Sequence, residues 1–314
     1  MKKNYSISAI LLNYNHGAYI DNALDAALNQ TVPFDEVIII DDASTDNSVQ
    51  LINKRIEGKQ NVRLIQNPHN LGITSTINKG VKEATGDFIF IISADDKYNN
   101  RIVEFCKPVI EQYPDIAMVA GNARVCNSDT GKERVFTIPF PQEVGRYSRE
   151  DLEEVARKRA FTFYGGATLI SRDAMVKAGG HLENLKWHAD WFLYLLVGCR
   201  HPFAVVPEEF IQIRQTSDQY SHACYDWKKQ RPVIEEFIIT LQKDYPKEYI
   251  FFRDSGLLPT YDFAALLLLL KDNMLREYLT PLLVWRLMTY KLFRVVGRLL
   301  PDDLRSKIRQ LVRV

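Results

Sequence analysis

Two pairs of adjacent carboxylates stand out in this chain, Asp41-Asp42 directly after a short apolar run and Asp95-Asp96 just beyond another, past Ser93-Ala94. Neighbouring acids repel one another and raise each other's pKa unless a cation or a set of donors sits among them. Their hard oxygens suit Mg2+ or Mn2+, and a divalent ion in turn suits a phosphate ester. Each pair also has a plain structural use: Asp42 or Ser44 can cap the helix that follows, and Asp95-Asp96 can form a solvated turn. Recurrence at successive run ends favours the chemical use. The motifs of other phosphate-handling and hydrolytic sites are missing. There is no GxGxxG after the first run, no GxxxxGK[ST] and no GxSxG, which counts against dinucleotide dehydrogenases, P-loop enzymes and α/β-hydrolases.

The acids need elements to hold them. Residues 7–12, 36–40, 62–65, 88–92 and 116–120 are mainly apolar, broken only by Ser8, Glu36 and Arg63, and read as strands buried on both faces. Between them lie helical patterns: Ile20, Leu24, Ala27 and Leu28 share one face, 44–56 carries Val49, Ile52 and Ile56, and 73–84 and 101–113 follow. Strand and helix in alternation predict a parallel sheet covered by helices. In such sheets ligands bind at the carboxyl ends of the strands. Those ends are Asn13-Tyr14-Asn15-His16-Gly17, Asp41-Asp42-Ala43-Ser44-Thr45-Asp46, Asn67 to Gly72, and Ser93-Ala94-Asp95-Asp96.

Beyond residue 122 the pattern changes. Asp129-Thr130-Gly131 reads as a hairpin turn, Gly165-Gly166 precedes a strand at 167–170, and Gly179-Gly180 closes a short helix. Residues 190–197 read as a helix, with strands at 203–206 and 210–214. After Tyr225 the chain is helical, interrupted by Pro246, Pro259, Pro281 and Pro301. The expected division is a sheet domain over 1–218, with a first half of about 1–122 and a second of about 123–218, and a helical region over 219–314.

Composition narrows the classes. The 314 residues are 46% hydrophobic and 25% charged, with a net charge of +1, so the chain is a folded protein with no global field for a polyanion. Residues 271–314 hold ten basic and four acidic groups, a net +6, leaving the first 270 at −5. An acidic main body without a basic-aromatic face argues against a nucleic-acid partner. Cys106, Cys126, Cys199 and Cys224 are far apart with no CxxC, which excludes a zinc ribbon and favours reduced thiols in a reducing compartment. Met-Lys-Lys-Asn-Tyr leads directly into the first strand, so no signal peptide is expected. The longest apolar run, 263–270, falls short of the about 20 residues that span a bilayer. The expected location is the cytoplasm, or the cytoplasmic face of a membrane.

Taken in order, Ile10-Leu11-Leu12-Asn13-Tyr14-Asn15, then Val37 to Asp46, Asn70-Leu71-Gly72, Asn78-Lys79-Gly80 and Ile92-Ser93-Ala94-Asp95-Asp96 resemble the family 2 glycosyltransferases over roughly residues 5–217. The resemblance implies an inverting enzyme of the GT-A fold, an α/β protein with a Rossmann-like, mainly parallel sheet and here a C-terminal helical appendage. It implies a nucleotide-diphosphate-sugar donor, expected to be a UDP-sugar, a divalent metal (Mg2+ or Mn2+), and a glycan or lipid-linked acceptor in cell-surface polysaccharide or glycolipid assembly. It places the nucleotide-sugar against Leu12, Asn13, Tyr14, Asn15, Asp41, Asp42, Asn70, Gly72, Asn78, Ser93, Ala94 and Asp95. Asp95 and Asp96 resemble the metal-holding DxD element, with Ser93 in place of its first acid.

The resemblance continues through Gly165 to Arg172 and Gly179-Gly180, which correspond to a segment shaping the acceptor side. Trp187-His188-Ala189-Asp190-Trp191 matches a segment usually written Glu-Asp before an apolar helix. It implies Asp190 as the general base, with Ala189 standing where Glu is common, and puts Gly165, Gly166, His188 and Trp191 on the acceptor side. Asp190 can at the same time cap the helix that begins at Trp191. Arg214, in Arg-Gln-Thr-Ser-Asp-Gln-Tyr-Ser, implies a guanidinium for the diphosphate, or else a structural ion pair. Thr216 fills the usual His position, with His222 or His188 as substitutes, and Ile77 stands where many members have Arg.

The tail carries a basic amphipathic pattern. Leu304, Ile308, Leu311 and Val312 oppose Arg305, Arg309 and Arg313, and Lys291, Arg294 and Arg298 share a face upstream. Such helices can lie on an anionic leaflet, or pack as an ordinary bundle. Two other classes compete with the transferase. A sugar-nucleotidyltransferase lacks support because 13–17 offers no Gly-rich basic loop. A catalytically inactive nucleotide-sugar- or glycan-binding relative is kept open by Ser93, Ile77, Ala189 and Thr216.

Overall fold

The structure, a computed structural model, describes residues 4–216 and 220–296, apart from the side chains of 221–222 and 291–296. The Ser217-Asp218-Gln219 segment, the His222 side chain and the amphipathic tail beyond 296 lie outside the described residues. The chain divides into two compact units. The first comprises residues 1–148, 163–183 and 189–219, and the second 149–162, 184–188 and 220–314. The helical unit thus draws two short segments from within the stretch assigned by sequence to the sheet domain.

Among the described residues of the first unit, ten strands form one sheet. They are β1 (Ile7–Asn13), β2 (Glu36–Asp41), β3 (Val62–Gln66), β4 (Phe88–Ser93), β5 (Lys97–Tyr98), β6 (Met118–Asn127), β7 (Glu133–Phe136), β8 (Gly145–Tyr147), β9 (Thr168–Ser171) and β10 (Phe203–Gln215). The spatial order is β3-β2-β1-β4-β9-β6-β10-β5, with β7 on β6 and β8 on β10. β1 to β4 are parallel throughout. Past β4 the sheet is mixed, because β9 enters antiparallel between β4 and β6 while β6 and β10 run parallel. All seven residues of β1 are buried, as an apolar run sandwiched by helices requires.

The helices between these strands are α1 (Ile20–Leu28), α2 (Ser48–Ile56), α3 (Ile73–Glu83) and α4 (Ile102–Gln112). Glycine sets one of their distances. A Cβ on Gly80 of α3 would stand 2.6 Å from Ile10 and 2.9 Å from Ile40, so α3 seats directly on β1 and β2 only because position 80 has no side chain. α2 starts at Ser48, four residues later than the periodicity suggests, since residues 44–46 bend back to bond the β1 loop. The expected pair of strands over 203–214 is one strand, β10, with register shifts between Val205 and Ile211.

The second unit contains α5 (Arg149–Lys158), while α6 (Arg172–Lys177) and α7 (Ala189–Arg200) belong to the first. Its remaining helices are α8 (Trp227–Asp244), α9 (Pro246–Asp254), α10 (Phe263–Lys271), α11 (Asn273–Arg276) and α12 (Pro281–Val296). Pro246 and Pro281 open helices, where a missing N–H is harmless. Phe237 packs edge-on against Phe252 and Tyr278 at centroid distances of 5.8 and 6.1 Å. Among the described residues no helix is long and apolar enough to cross a membrane.

Candidate active site

Register places the candidate residues on one sheet edge. Asn13 pairs with Asp41 and Leu12 with Ser93, so the carboxyl ends of β1, β2 and β4 finish level. Asp41 is buried and does not face outward. It accepts hydrogen bonds from Asn13 Nδ2 at 2.6 Å, Ser44 Oγ at 2.5 Å and the Ser44 backbone N–H at 3.0 Å. Asn13 Nδ2 also reaches Ser48 Oγ at 2.8 Å. Asn15 then accepts from the Thr45 N–H at 2.8 Å and donates its own N–H to Ser44 Oγ at 2.9 Å. Both Asn15 (φ 54°) and Ala43 (φ 63°) are left-handed, a strained conformation for residues with a side chain that clusters at ligand-binding loops. Leu12 is buried and Tyr14 exposed.

Asp42 holds the next loop. Its carboxylate accepts from Asn67 Nδ2 at 2.7 Å, from the Leu71 N–H at 2.8 Å and from the Gly72 N–H at 2.9 Å. That fills three of about four acceptor positions and fixes Asn70-Leu71-Gly72 beside the end of β2. Gly72 has φ +82°, where an L side chain is strained, and Asn70 Oδ1 accepts from its N–H at 2.9 Å. Asn78 is occupied elsewhere. Its amide donates to the His181 carbonyl at 2.7 Å and accepts from the His181 N–H at 2.9 Å, so it ties α3 to the turn after α6.

Asp95 and Asp96 differ. Asp95 is partly exposed and Asp96 is buried. Asp96 accepts from the Arg214 backbone N–H at 2.8 Å. Burial and the Asp95 charge push its carboxyl up to about 8. The Arg214 guanidinium lies over the Tyr19 ring at 4.1 Å. Ala94 is buried, and the Ser93 N–H donates to Tyr98 Oη at 2.8 Å. Among the described residues no three His, Cys, Asp or Glu side chains gather as a metal cage. Two adjacent carboxyl groups, one of them partly exposed, nevertheless fit Mg2+ or Mn2+, which take one or two carboxylates and complete the shell with water and substrate phosphate.

Asp190 sits in the first turn of α7, with Oδ1 accepting from the Trp191 N–H at 2.6 Å. Dense packing pushes its carboxyl up to about 6, against the lowering effect of that hydrogen bond. Two glycines link it to the strand ends. A Cβ on Gly165 would lie 3.4 Å from Asp190 Oδ2. One on Gly166 would meet Ile211 at 2.4 Å and Tyr98 Oη at 3.0 Å. The Gly165-Gly166 backbone therefore runs between Asp190 and Tyr98, the residue that holds Ser93. Tyr98, Tyr19 and Tyr194 are part of this arrangement without having been singled out in the sequence, while Asn67 lay at the expected end of the third strand. Only Tyr194 carried a legible signal, its place four residues after Asp190 on the same helix face.

His188 belongs to the second unit. Gln230 of α8 is buried, takes the Trp187 indole N–H on Oε1 at 2.7 Å and directs its amide nitrogen to His188 Nε2 at 2.7 Å. Nε2 is thus the acceptor and the ring proton sits on Nδ1. Burial pushes His188 down to about 4, so it is neutral.

A parallel β3-β2-β1-β4 edge with acids at its strand ends, followed by a mixed half-sheet, is the GT-A type of α/β fold. Two solved structures share it. S. aureus TarS 1–349 in complex with UDP-GlcNAc has a TM-score of 0.57 at 15% identity, over 80% of each chain. The mannosyltransferase PcManGT from Pyrobaculum calidifontis, in complex with GDP-Man and Mn2+, has a TM-score of 0.53 at 15% identity, over 81% of this chain and 72% of that one. The family described as Glycosyl transferase family 2 matches residues 8–178, more than half of the chain. The chain belongs to that family. An uncharacterized glycosyltransferase of Haemophilus influenzae is 30% identical over 132 residues, 42% of this chain and 52% of its own length. The chondroitin synthase of Pasteurella multocida is 37% identical over 123 residues, 39% of this chain and 13% of its own length. The chain therefore spans about half of the first relative and a small part of the second. The family match ends before Asp190 and Arg214.

Proposed function

We propose that this chain transfers a sugar from a nucleotide-diphosphate sugar to an acceptor hydroxyl, with inversion at the anomeric carbon and Asp190 as the general base. The observation that carries the proposal is Asp190 Oδ2 standing against the Gly165 backbone, with the carboxyl pushed up to about 6. A base with a pKa just below neutral is mostly ionised at pH 7 and strong enough to accept the hydroxyl proton as the bond to the sugar forms. Asn15, Asp42 and the loop it holds line the nucleotide side. Arg214, seated on Tyr19 and fixed by Asp96, presents a guanidinium for the diphosphate. Asp95, with Asp96 behind it, would hold a divalent ion. When bound, that ion supplies Lewis-acid stabilisation of the charge growing on the leaving diphosphate.

The relatives support a nucleotide-sugar donor: TarS is solved with UDP-GlcNAc, PcManGT with GDP-Man and Mn2+. We take a UDP-sugar as the donor, a glycan or lipid-linked saccharide as the acceptor, and the cytoplasmic face of a membrane as the setting. Release of UDP from UDP-GlcNAc and UDP-glucose, measured with Mn2+ and with EDTA, tests the reading. Metal-dependent release supports an enzyme. UDP-sugar binding without release in the presence of a panel of saccharide acceptors points to the non-catalytic relative.

A further inference from the structure

Buried polar groups almost always have partners, yet Tyr194 Oη and the Nδ1 of His181, whose ring packs edge-on to Tyr194, have none among the described residues. Tyr194 is fully buried on α7, one turn beyond Asp190. The place where a Cβ of Gly165 would stand lies 3.4 Å from Asp190 Oδ2 and 3.6 Å from Tyr194 Oη. Asp190 Oδ2 and a hydroxyl that has no partner among the described residues therefore stand on the same, side-chain-free side of Gly165.

We propose that Tyr194 is a positioning residue for Asp190: its hydroxyl donates toward the carboxylate, through one bridging oxygen on the side-chain-free side of Gly165, and keeps Asp190 ionised and oriented. Asp190 Oδ1 is already tied to the Trp191 N–H, so this contact fixes the second oxygen. A hydroxyl donor favours the charged form of a carboxylate, opposing the burial that disfavours it. The shared oxygen is that of water in the resting protein or of the acceptor hydroxyl during transfer; both have the same donor and acceptor capacity.

Few charges compete. α6 brings Arg172, Asp173 and Lys177, but Arg172 Nε donates to the Val81 carbonyl and Lys177 pairs with Asp173 at the surface. His181, edge-on to Tyr194 at 6.3 Å between ring centroids, is held neutral by burial. The segment of 165–167 carries no titratable side chain.

The inference rests on Asp190 being the base, and the experiment separates the two. Tyr194→Phe removes the donor. Gly165→Ala puts a methyl group against both Asp190 Oδ2 and the Tyr194 ring at ordinary contact distance, in the way of a bridging oxygen, and position 165 does not require a left-handed backbone. Thermal unfolding checks that both variants fold. The pH dependence of kcat/KM and a 13C NMR titration of the Asp190 carboxyl, assigned by its loss in Asp190→Asn, are then measured. The expected result is an upward move of the acid limb and of the NMR midpoint by about one pH unit in both variants, a roughly fivefold loss of kcat/KM at pH 6. An unmoved NMR midpoint in Tyr194→Phe overturns the inference. A moved midpoint with full transfer activity in Asp190→Asn supports the contact and removes Asp190 as the base. Gly165→Ala with added saccharide acceptor distinguishes the sources. A rise in acceptor KM assigns the bridging oxygen to the acceptor hydroxyl, and a shifted pH limb with KM as in the wild type assigns it to water.

Discussion

The buried carboxylate of Asp96 accepts a hydrogen bond at 2.8 Å from the backbone N–H of Arg214, 118 residues further along the chain. This one bond joins the acidic turn after β4 to the far end of β10, and so sets where the Arg214 guanidinium can stand.

Asp95 and Asp96 should therefore fail differently. Asp96→Ala strands a buried N–H and is expected to lower stability by about 1–3 kcal/mol, whereas Asp96→Asn keeps an acceptor oxygen and should unfold near the wild type. Asp95→Asn, at a partly exposed position, should leave stability unchanged and weaken Mn2+ dependence. Denaturant unfolding alongside Mn2+ titration of activity checks both halves. Equal destabilisation by Asp95→Asn and Asp96→Ala would contradict the division of labour.

Asp190 should cost the fold stability at neutral pH. Its folded pKa is raised to about 6, above an unfolded value near ~3.9, so the native state binds more protons between these values. Stability from this group is then greatest below about pH 4 and is lost as pH rises through about 6. Asp190→Asn is expected to raise stability at pH 8 by up to about 3 kcal/mol, a gain that vanishes near pH 4. Unfolding midpoints of the two proteins across this range should converge at the acid end.

Gly72 and Asp42 form one unit. Gly72→Ala places a side chain at φ +82°, a strain of about 1–2 kcal/mol. Asp42→Ala removes the acceptor of the Leu71 and Gly72 N–H groups and should release the 67–72 loop. Both variants are expected to bind UDP at least tenfold more weakly, read by calorimetry. Wild-type affinity in Asp42→Ala would dissociate this loop from the nucleotide side.

How much of this was legible beforehand depends on the kind of signal. The runs of β1, β2 and β4 are almost wholly buried, and such strands cannot hide in a sequence, whereas β3, at the end of the strand order, is only half-buried against expectation. The strand-end acids followed from them. The split of duties between Asp41, which faces inward to Asn13 and Ser44, and Asp42, which holds the next loop, is decided by three-dimensional hydrogen bonding that no spacing reveals. The same holds for Asn78, whose amide is spent on His181. Glycine was informative only in part: Gly80 and Gly166 are glycines because a neighbouring side chain occupies the room of a Cβ, and that neighbour is remote in sequence. The segments 149–162 and 184–188 could not be assigned to the helical unit from pattern, because their partners lie far along the chain.

One of those partners is Arg286. Its buried guanidinium donates to the Ser255 and Gly256 carbonyls at 2.6 and 2.9 Å, to the Arg157 carbonyl at 3.2 Å, and to Ala156 O. It thus caps the carboxyl ends of α5 and α9, where a cation is favoured. Arg286→Met is expected to destabilise by about 3 kcal/mol, seen in urea unfolding. Any truncation probing membrane attachment must keep it. Removal of 297–314 leaves the clamp intact, and liposomes of anionic lipid should then lose the protein in co-sedimentation; equal sedimentation would remove the membrane reading.

The most direct measurement is transfer itself, followed as UDP release from a UDP-sugar with Mn2+ and acceptor, in the wild type and in Asp190→Asn. The expected result is loss of turnover by at least a thousandfold, about 4 kcal/mol of barrier, with the affinity for the UDP-sugar held within twofold. Turnover that survives the substitution, or that disappears together with donor binding, would show that the carboxylate beside Gly165 is not the group that takes the acceptor's proton.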